Sequence, residues 1–424
     1  MSPNEKRGDS APVSFSQLLR SNRNFRRIWL GEVASWLGDW FNTIAIYTLV
    51  RQLTGSPFAL GLVFLTKMLP FAVASPLAGL LVDRFDRRRL MIGADLLRAV
   101  FVLGLLLVDQ ASDLYLIYLL TALQVLLTAV FIPARSASIP NITSRRELLT
   151  ANALGAATWS TLLAVGAALG GFATNWLGID TVFVIDSATY LISAFFIYRT
   201  VIPQDTEKGS GQGPRAILRD TLDGWRHMRT HPHIGRMAFA KASWALGGGA
   251  LVYMLAMMGE QVASMAPAVG IGVLYAARGF GTGVGPLAVR KWVSNEAVWP
   301  FLLGLGVTIS GISYMAIGSV PWGLWILVLI AVAHAPSGAN WVASSVLLQK
   351  RTVDKYRGRV FSTEWLLVTL ADSVSILAAS LLMETGLLGL RSGIVVFGLV
   401  QVICGLLWMA VVVPSERQYT RSLR

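Results

Sequence analysis

The chain has 424 residues, 54% of them hydrophobic and 14% charged, a balance too apolar for the surface of two or three water-soluble domains. Its formal charge of +13 raises nucleic-acid binding as a candidate function, and only the placement of the basic residues decides that question. Cys404 is the single cysteine, which excludes an internal disulfide and a cysteine metal cluster.

Residues 1–27 are polar and basic and read as a cytoplasmic N-terminal segment. The apolar run that follows continues to full spanning length, so it is expected to be a retained anchor rather than a cleaved signal. A crossing of the hydrocarbon core takes about 20 apolar residues, and twelve such runs are predicted. Six lie within 28–202: Ile28 to Val50, Pro57 to Val82, Leu90 to Val108, Leu114 to Ala134, Ala151 to Trp176 and Thr181 to Ile202. Residues 203–236 are polar, with Lys208 to Pro214 rich in Gly and Ser and a basic helical part following through Trp225. They read as a cytoplasmic linker. Six more spans fill 237–413: Met237 to Met258, Ala266 to Val289, Val298 to Val320, Trp322 to Leu348, Phe361 to Met383 and Leu388 to Val413. Residues 414–424 form a cytoplasmic tail. The expectation is an all-α membrane protein of twelve transmembrane helices in two six-helix halves.

Of the 36 lysines and arginines, 30 fall on the predicted side of both termini, and only Arg51 and Arg391 fall on the other. The remaining four, Lys67, Arg98, Lys241 and Arg278, lie inside spans. The positive-inside bias therefore predicts cytoplasmic termini and accounts for the net charge by topology, which argues against nucleic-acid binding.

The loop after the second span reads Gly79-Leu-Leu-Val-Asp83-Arg84-Phe-Asp86-Arg87-Arg88-Arg89. Gly79 permits close helix contact, Asp83 suits the positive N-terminus of a neighbouring helix, and the arginines suit acidic groups and lipid phosphates. This run resembles the loop 2-3 motif of the major facilitator superfamily, with Asp86 where that motif usually has Gly. Phe15 to Arg27, Ser35-Trp-Leu-Gly-Asp39, Leu53 to Pro57, Pro133-Ala-Arg135, Glu147 to Asn152 and Tyr356 to Phe361 are similar to the drug:proton antiporter branch that includes macrolide efflux proteins and the enterobactin exporter. The resemblance implies a cytoplasmic gate against the eleventh span, involving Gly79, Asp83, Arg84, Arg87, Arg88, Asp95, Arg98 and Arg135. Gly166, Gly170 and Gly171 match that branch's glycine pattern in the fifth span, where Ala167 replaces the expected proline.

A charge at bilayer depth costs from about 2.5 kcal/mol upward, so each one calls for a partner, a watery cavity or a function. Glu32, Trp36, Asp39 and Thr43 recur at helical spacing and share one face of the first span. Asp39, midway along, is the leading proton-coupling candidate, followed by Glu32 and Asp372. Pairing of Asp39 with a basic residue such as Lys67 is the structural alternative. Asp95 and Arg98 are spaced to pair along the third span. Asp186, Lys241, Arg278 and Glu364 are expected mostly as interior pairs. Trp36, Trp40, Thr43, Trp244, Phe280 and Asn340 are the substrate-cavity candidates. His334 to Asn340 reads as a kink-prone polar patch, and the glycines of the eighth span as close packing rather than a phosphate loop. His227, His231 and His233 lack the cysteines or carboxylates of a metal site, and no catalytic motif or cofactor-binding loop is present in the sequence.

The resulting expectation is a monomeric, multi-pass carrier of the bacterial inner membrane, without cofactor or metal and not an enzyme. It would exchange a proton or cation for a small amphipathic or cationic molecule such as a drug, macrolide or siderophore, with membrane lipids as its surroundings. The alternatives are a lipid or lysophospholipid transporter of the same fold and, from another class, a non-transporting membrane sensor.

Overall fold

The computed structural model describes residues 13–204, 214–292 and 295–422. Within these ranges the side chains of some residues, Gly79 and Asp83 among them, lie outside the description. The glycine-rich run of the linker, 208–213, is also outside the described residues.

Among the described residues, twelve long helices follow one another. The first six are Arg23–Thr54, Pro57–Arg84, Arg87–Gly104, Leu114–Ile142, Arg145–Leu177 and Ile179–Tyr198. The second six are Pro232–Val262, Pro267–Trp292, Trp299–Ser319, Ile326–Arg351, Asp354–Glu384 and Leu390–Leu407. Among the described residues, ten helices are long and apolar enough to cross a membrane on length and composition alone. The first and eighth, of 32 and 26 residues, complete the twelve. Their lower apolarity reflects interior polar positions such as Glu32, Asp39 and Arg278.

Local chemistry sets the helix boundaries. Asn22 accepts from the Phe25 amide at 2.9 Å, so the first span starts at Arg23 rather than Ile28, and Gly55 ends it at φ 61°. Ser56 caps the second span with Pro57 in its first turn. Asp86 caps the third, its carboxylate accepting from Arg89 N at 2.7 Å. Ser144 and Glu147 form a capping box that opens the fifth. The linker helix is Pro214–Thr230, and the seventh span begins at Pro232, so helical structure occupies more of 203–236 than the sequence reading assigned. Past one π-helical turn at Trp408–Val412, the tail is helical as well, at Val413–Ser422. Arg236 and Arg351 both bind its Glu416, at 2.6 and 2.7 Å.

The two halves repeat one packing scheme. Spans 1 and 6, 1 and 5, 2 and 4, 3 and 6, and 3 and 4 pack together, as do their counterparts 7 and 12, 7 and 11, 8 and 10, 9 and 12, and 9 and 10. Between the halves the main contacts are span 5 with span 8 and span 2 with span 11, a pair that the same repeat interchanges. Glycine makes the first of these possible. A Cβ on Gly171 would meet the Ala268 carbonyl at 2.5 Å, and one on Gly272 would meet the Ala167 carbonyl at 2.5 Å.

Candidate functional site

The interior of the first half holds one connected polar cluster near mid-span. Asp39 of the first span accepts a hydrogen bond at Oδ1 from the Tyr190 hydroxyl of the sixth. The Tyr190 ring lies under the Arg98 guanidinium at 4.5 Å, and Arg98 is ion-paired with the fully buried Asp95. One helical turn beyond Asp39, Asn42 donates from Nδ2 to Asp186 Oδ2 at 2.7 Å and to Gln124 Oε1 at 3.3 Å. Lys67 of the second span donates to Thr43 Oγ1 at 2.8 Å and lies in the electrostatic field of both Asp39 and Asp186.

Along the unbroken first helix, the residues that the sequence placed on one face reach different neighbours. Glu32 turns to the fourth span, where it forms a 2.6 Å ion pair with Arg135. Asp39 turns to the sixth span and Thr43 to the second. Trp36 is half-buried and Trp40 packs on Gly166, its ring centroid 6.1 Å from that of Tyr275 in the other half. Asp39 has Tyr190 as its hydrogen-bond donor, while the Lys67 ammonium reaches it through space.

The interior of the second half holds an ion pair and a carboxylate in the field of an arginine. Lys241 meets Glu364 at 2.9 Å, donates to Ser345 at 2.8 Å, and lies 4.6 Å over the Trp341 ring. Asp372 lies against the backbone of Gly249 and in the field of Arg278. His334 is buried and 2.7 Å from the Tyr314 hydroxyl, with the Trp244 ring 6.1 Å away. Asn340 is buried, and neither amide atom has a hydrogen-bond partner among the described residues. Phe280, at 64% exposure, stands outside these clusters.

In the loop after the second span, Arg87 donates to the Ala137 carbonyl at 2.8 Å, and Arg88 donates to the Ile197 and Tyr198 carbonyls. These arginines therefore tie the loop to the fourth and sixth spans of their own half. Arg84 is exposed. The second span does pack on the eleventh, closely enough at Gly61 that a Cβ would meet Ser380 at 2.6 Å.

The histidines of the linker are stacked. His227 lies 4.2 Å from both His231 and Tyr356, and His233 lies 4.5 Å from Tyr419. No grouping of three His, Cys, Asp or Glu side chains among the described residues suits a metal ion.

Sequence reading missed Asn42, Gln124 and Tyr190, and it left Asp186 as a dispersed charge. A signal existed: Asn42 lies three residues after Asp39, and Tyr190 four after Asp186, so each is on the same helical face as a carboxylate.

The chain is similar over nearly its whole length to bacterial transporters. It is 24% identical to the MFS-type transporter YfiS of Bacillus subtilis, over 92% of this chain and 93% of that one. It is 24% identical to the candidate bacilysin exporter BacE of Bacillus subtilis, over 90% and 92%. With macrolide efflux protein A of Streptococcus pyogenes the identity is 22%, over 84% and 88%. The crystal structure of a bacterial homolog of the human lysosomal transporter Spinster superposes with a TM-score of 0.70 at 17% identity, covering 95% and 98%. The model of the Major Facilitator Superfamily matches residues 28–371. Twelve membrane-embedded helices in two repeated halves, polar clusters inside them and this match together place the chain in the Major Facilitator Superfamily, as a transporter and not an enzyme.

Proposed function

We propose that the protein is a proton-coupled exporter of small amphipathic or cationic molecules in the bacterial inner membrane, with both termini cytoplasmic. The observation that carries coupling is the mid-span cluster in which Asp39, Asp186 and Lys67 share one buried polar interior. Export as the direction is supported by likeness to macrolide efflux protein A and BacE. The aromatic rings Trp40, Tyr47 and Tyr275, which meet between the halves, suit an amphipathic cation. The 30-to-2 bias of basic residues supports the orientation.

In everted vesicles, an imposed pH gradient is expected to drive accumulation of ethidium or a macrolide, and Asp39→Asn to abolish the gradient dependence. Flux indifferent to the gradient would remove proton coupling, and ligand binding without flux would point to a sensor.

A lipid or lysophospholipid substrate is the second reading. It is favoured by an apolar cleft of about 400 Å³ between spans 8, 9 and 10, lined by Trp299, Leu302, Ile309, Val332 and Pro336 with the Asn340 amide as a polar point. Headgroup-labelled lipid moved between leaflets by the purified protein would establish it.

A further inference from the structure

The polar cluster of the first half does not balance its own charge. Asp39, Asp95 and Asp186 supply three carboxylates, while Lys67 and Arg98 supply two cations. A further ion pair of this half, Glu32 with Arg135, is self-neutral. One uncompensated carboxylate at mid-bilayer depth costs several kcal/mol, so the resting cluster calls for one further positive charge.

We propose that this charge is a single exchangeable proton held on Asp186, bonded to Oδ1 and donated to the Thr189 hydroxyl. The inference rests on the proton-coupled reading above and relocates the proton from Asp39 to a carboxylate of the sixth span.

The hydrogen-bond inventory assigns the atom. Asp186 Oδ2 already accepts from Asn42 Nδ2 at 2.7 Å. Oδ1 faces Thr189 Oγ1 at 3.3 Å, and the same hydroxyl lies 2.7 Å from the Asp186 main-chain carbonyl. A hydroxyl has one hydrogen, and the shorter contact takes it, which leaves a lone pair pointing at Oδ1. A carboxylic acid there completes the pair. Asp39 differs, because Tyr190 has no better acceptor for its hydrogen and gives it to Asp39 Oδ1.

Four neighbouring spans and its own supply the groups around Asp186. The first span presents Asp39 and Asn42, and the third presents Asp95 and Arg98. The second and fourth spans contribute Lys67 and Gln124, and the sixth itself contributes Thr189 and Tyr190. Gly38 fixes the approach, since a Cβ there would collide with Asp186 Oδ1 and Thr189 Oγ1. A metal cation fits poorly, because the Asn42 amide hydrogens and the Tyr190 hydroxyl hydrogen point at the carboxylates, where the ion would have to displace them.

The exchange balances. A proton arriving from outside forms the O–H bond on Asp186. A cationic substrate entering from the cytoplasm supplies the same unit of charge, the O–H bond breaks, the proton passes to water on the cytoplasmic side, and the substrate is then carried out. One proton is therefore exchanged per unit positive charge of substrate.

The test is infrared difference spectroscopy of the full chain in liposomes, titrated across neutral pH, together with pH-driven ethidium flux. The wild type is expected to show one carboxylic-acid C=O band. Asp186→Asn is expected to abolish it, Lys67→Met to double it by adding a second uncompensated carboxylate, and Thr189→Val to shift its frequency. Absence of the band from the wild type overturns the proposal. So does its persistence in Asp186→Asn, or a shift caused by Tyr190→Phe and not by Thr189→Val, which would put the proton on Asp39. If Asp186→Asn does not fold, the Lys67 and Thr189 variants still decide. A band that behaves as expected beside gradient-independent flux would sink proton-coupled export and leave the site standing. Gradient-driven flux retained in folded Asp186→Asn would do the reverse.

Discussion

Arg51 at the end of the first span grips Glu260 at the end of the seventh with two parallel bonds, Nε to Oε1 at 2.9 Å and a terminal guanidinium nitrogen to Oε2 at 2.8 Å. The pair joins the two halves at the end of the bundle opposite the termini. Around it Tyr253 donates to the Pro57 carbonyl at 2.7 Å, and Glu384 accepts from Ser56 Oγ and Phe58 N at 2.7 and 3.0 Å. In an alternating-access carrier the two halves must part at this end when the site opens there, and these bonds must break.

The clasp is partly exposed, 14% and 31% for the two side chains, so its worth is about 1 kcal/mol, which corresponds to about a fivefold bias between closed and open populations. Arg51→Gln or Glu260→Gln is expected to raise labelling of a cysteine introduced at Thr43, in a Cys404→Ser background, from the clasp's side of the membrane by about that factor. The double exchange Arg51→Glu with Glu260→Arg is expected to return it towards wild type. Labelling unchanged in both single variants would show that the clasp does not hold the halves.

Glu32 and Arg135 are a second kind of pair, buried within one half at 2.6 Å. Glu32→Gln leaves a guanidinium with no compensating charge, and a loss of about 3 kcal/mol is expected, read as a lowered Tm in detergent. Glu32→Gln combined with Arg135→Met removes both charges and is expected to recover most of the loss. A double variant as unstable as the single one would assign the loss to packing.

The fold was legible because bilayer thickness writes itself into run length and the topology into Lys and Arg placement, both of which are local quantities. The place of Asp39 on a helical face was legible for the same reason, since three- and four-residue spacings mark such a face. Its donor was not, because Tyr190 lies 151 residues away and only packing of spans 1 and 6 brings it there. Arg51 and Glu260, 209 residues apart, look like ordinary loop-end charges until the halves meet. The boundaries at Arg23 and Pro232 differ because caps and polar first turns extend helices past the apolar run.

Close packing of spans 5 and 8 gives a third prediction. The Gly171 and Gly272 backbones face each other so closely that a Cβ on either meets a carbonyl at 2.5 Å. Gly272→Val is expected to wedge the halves apart and reduce flux at least tenfold while membrane insertion, judged by expression in the membrane fraction, stays normal. Wild-type flux would mean that this contact is free to relax.

The linker supplies a pH prediction outside the membrane. His227 of the linker helix stacks on Tyr356, at the start of the eleventh span, at 4.2 Å with ring planes 6° apart. Burial and the neighbouring His231 hold its pKa below the ordinary histidine value of 6.5. A histidine whose pKa is lower when docked than when free binds fewer protons in the docked state. Docking is therefore strongest above pH 6.5 and weakens as the pH falls below it. Amide exchange in Pro214–Thr230 is expected to be slower at pH 7.5 than at pH 5.5, after correction for intrinsic rates. His227→Phe keeps an aromatic stack and cannot take up a proton, so it should flatten that difference. A pH dependence undiminished in His227→Phe would assign the effect to His231 or His233 and remove His227 from the account.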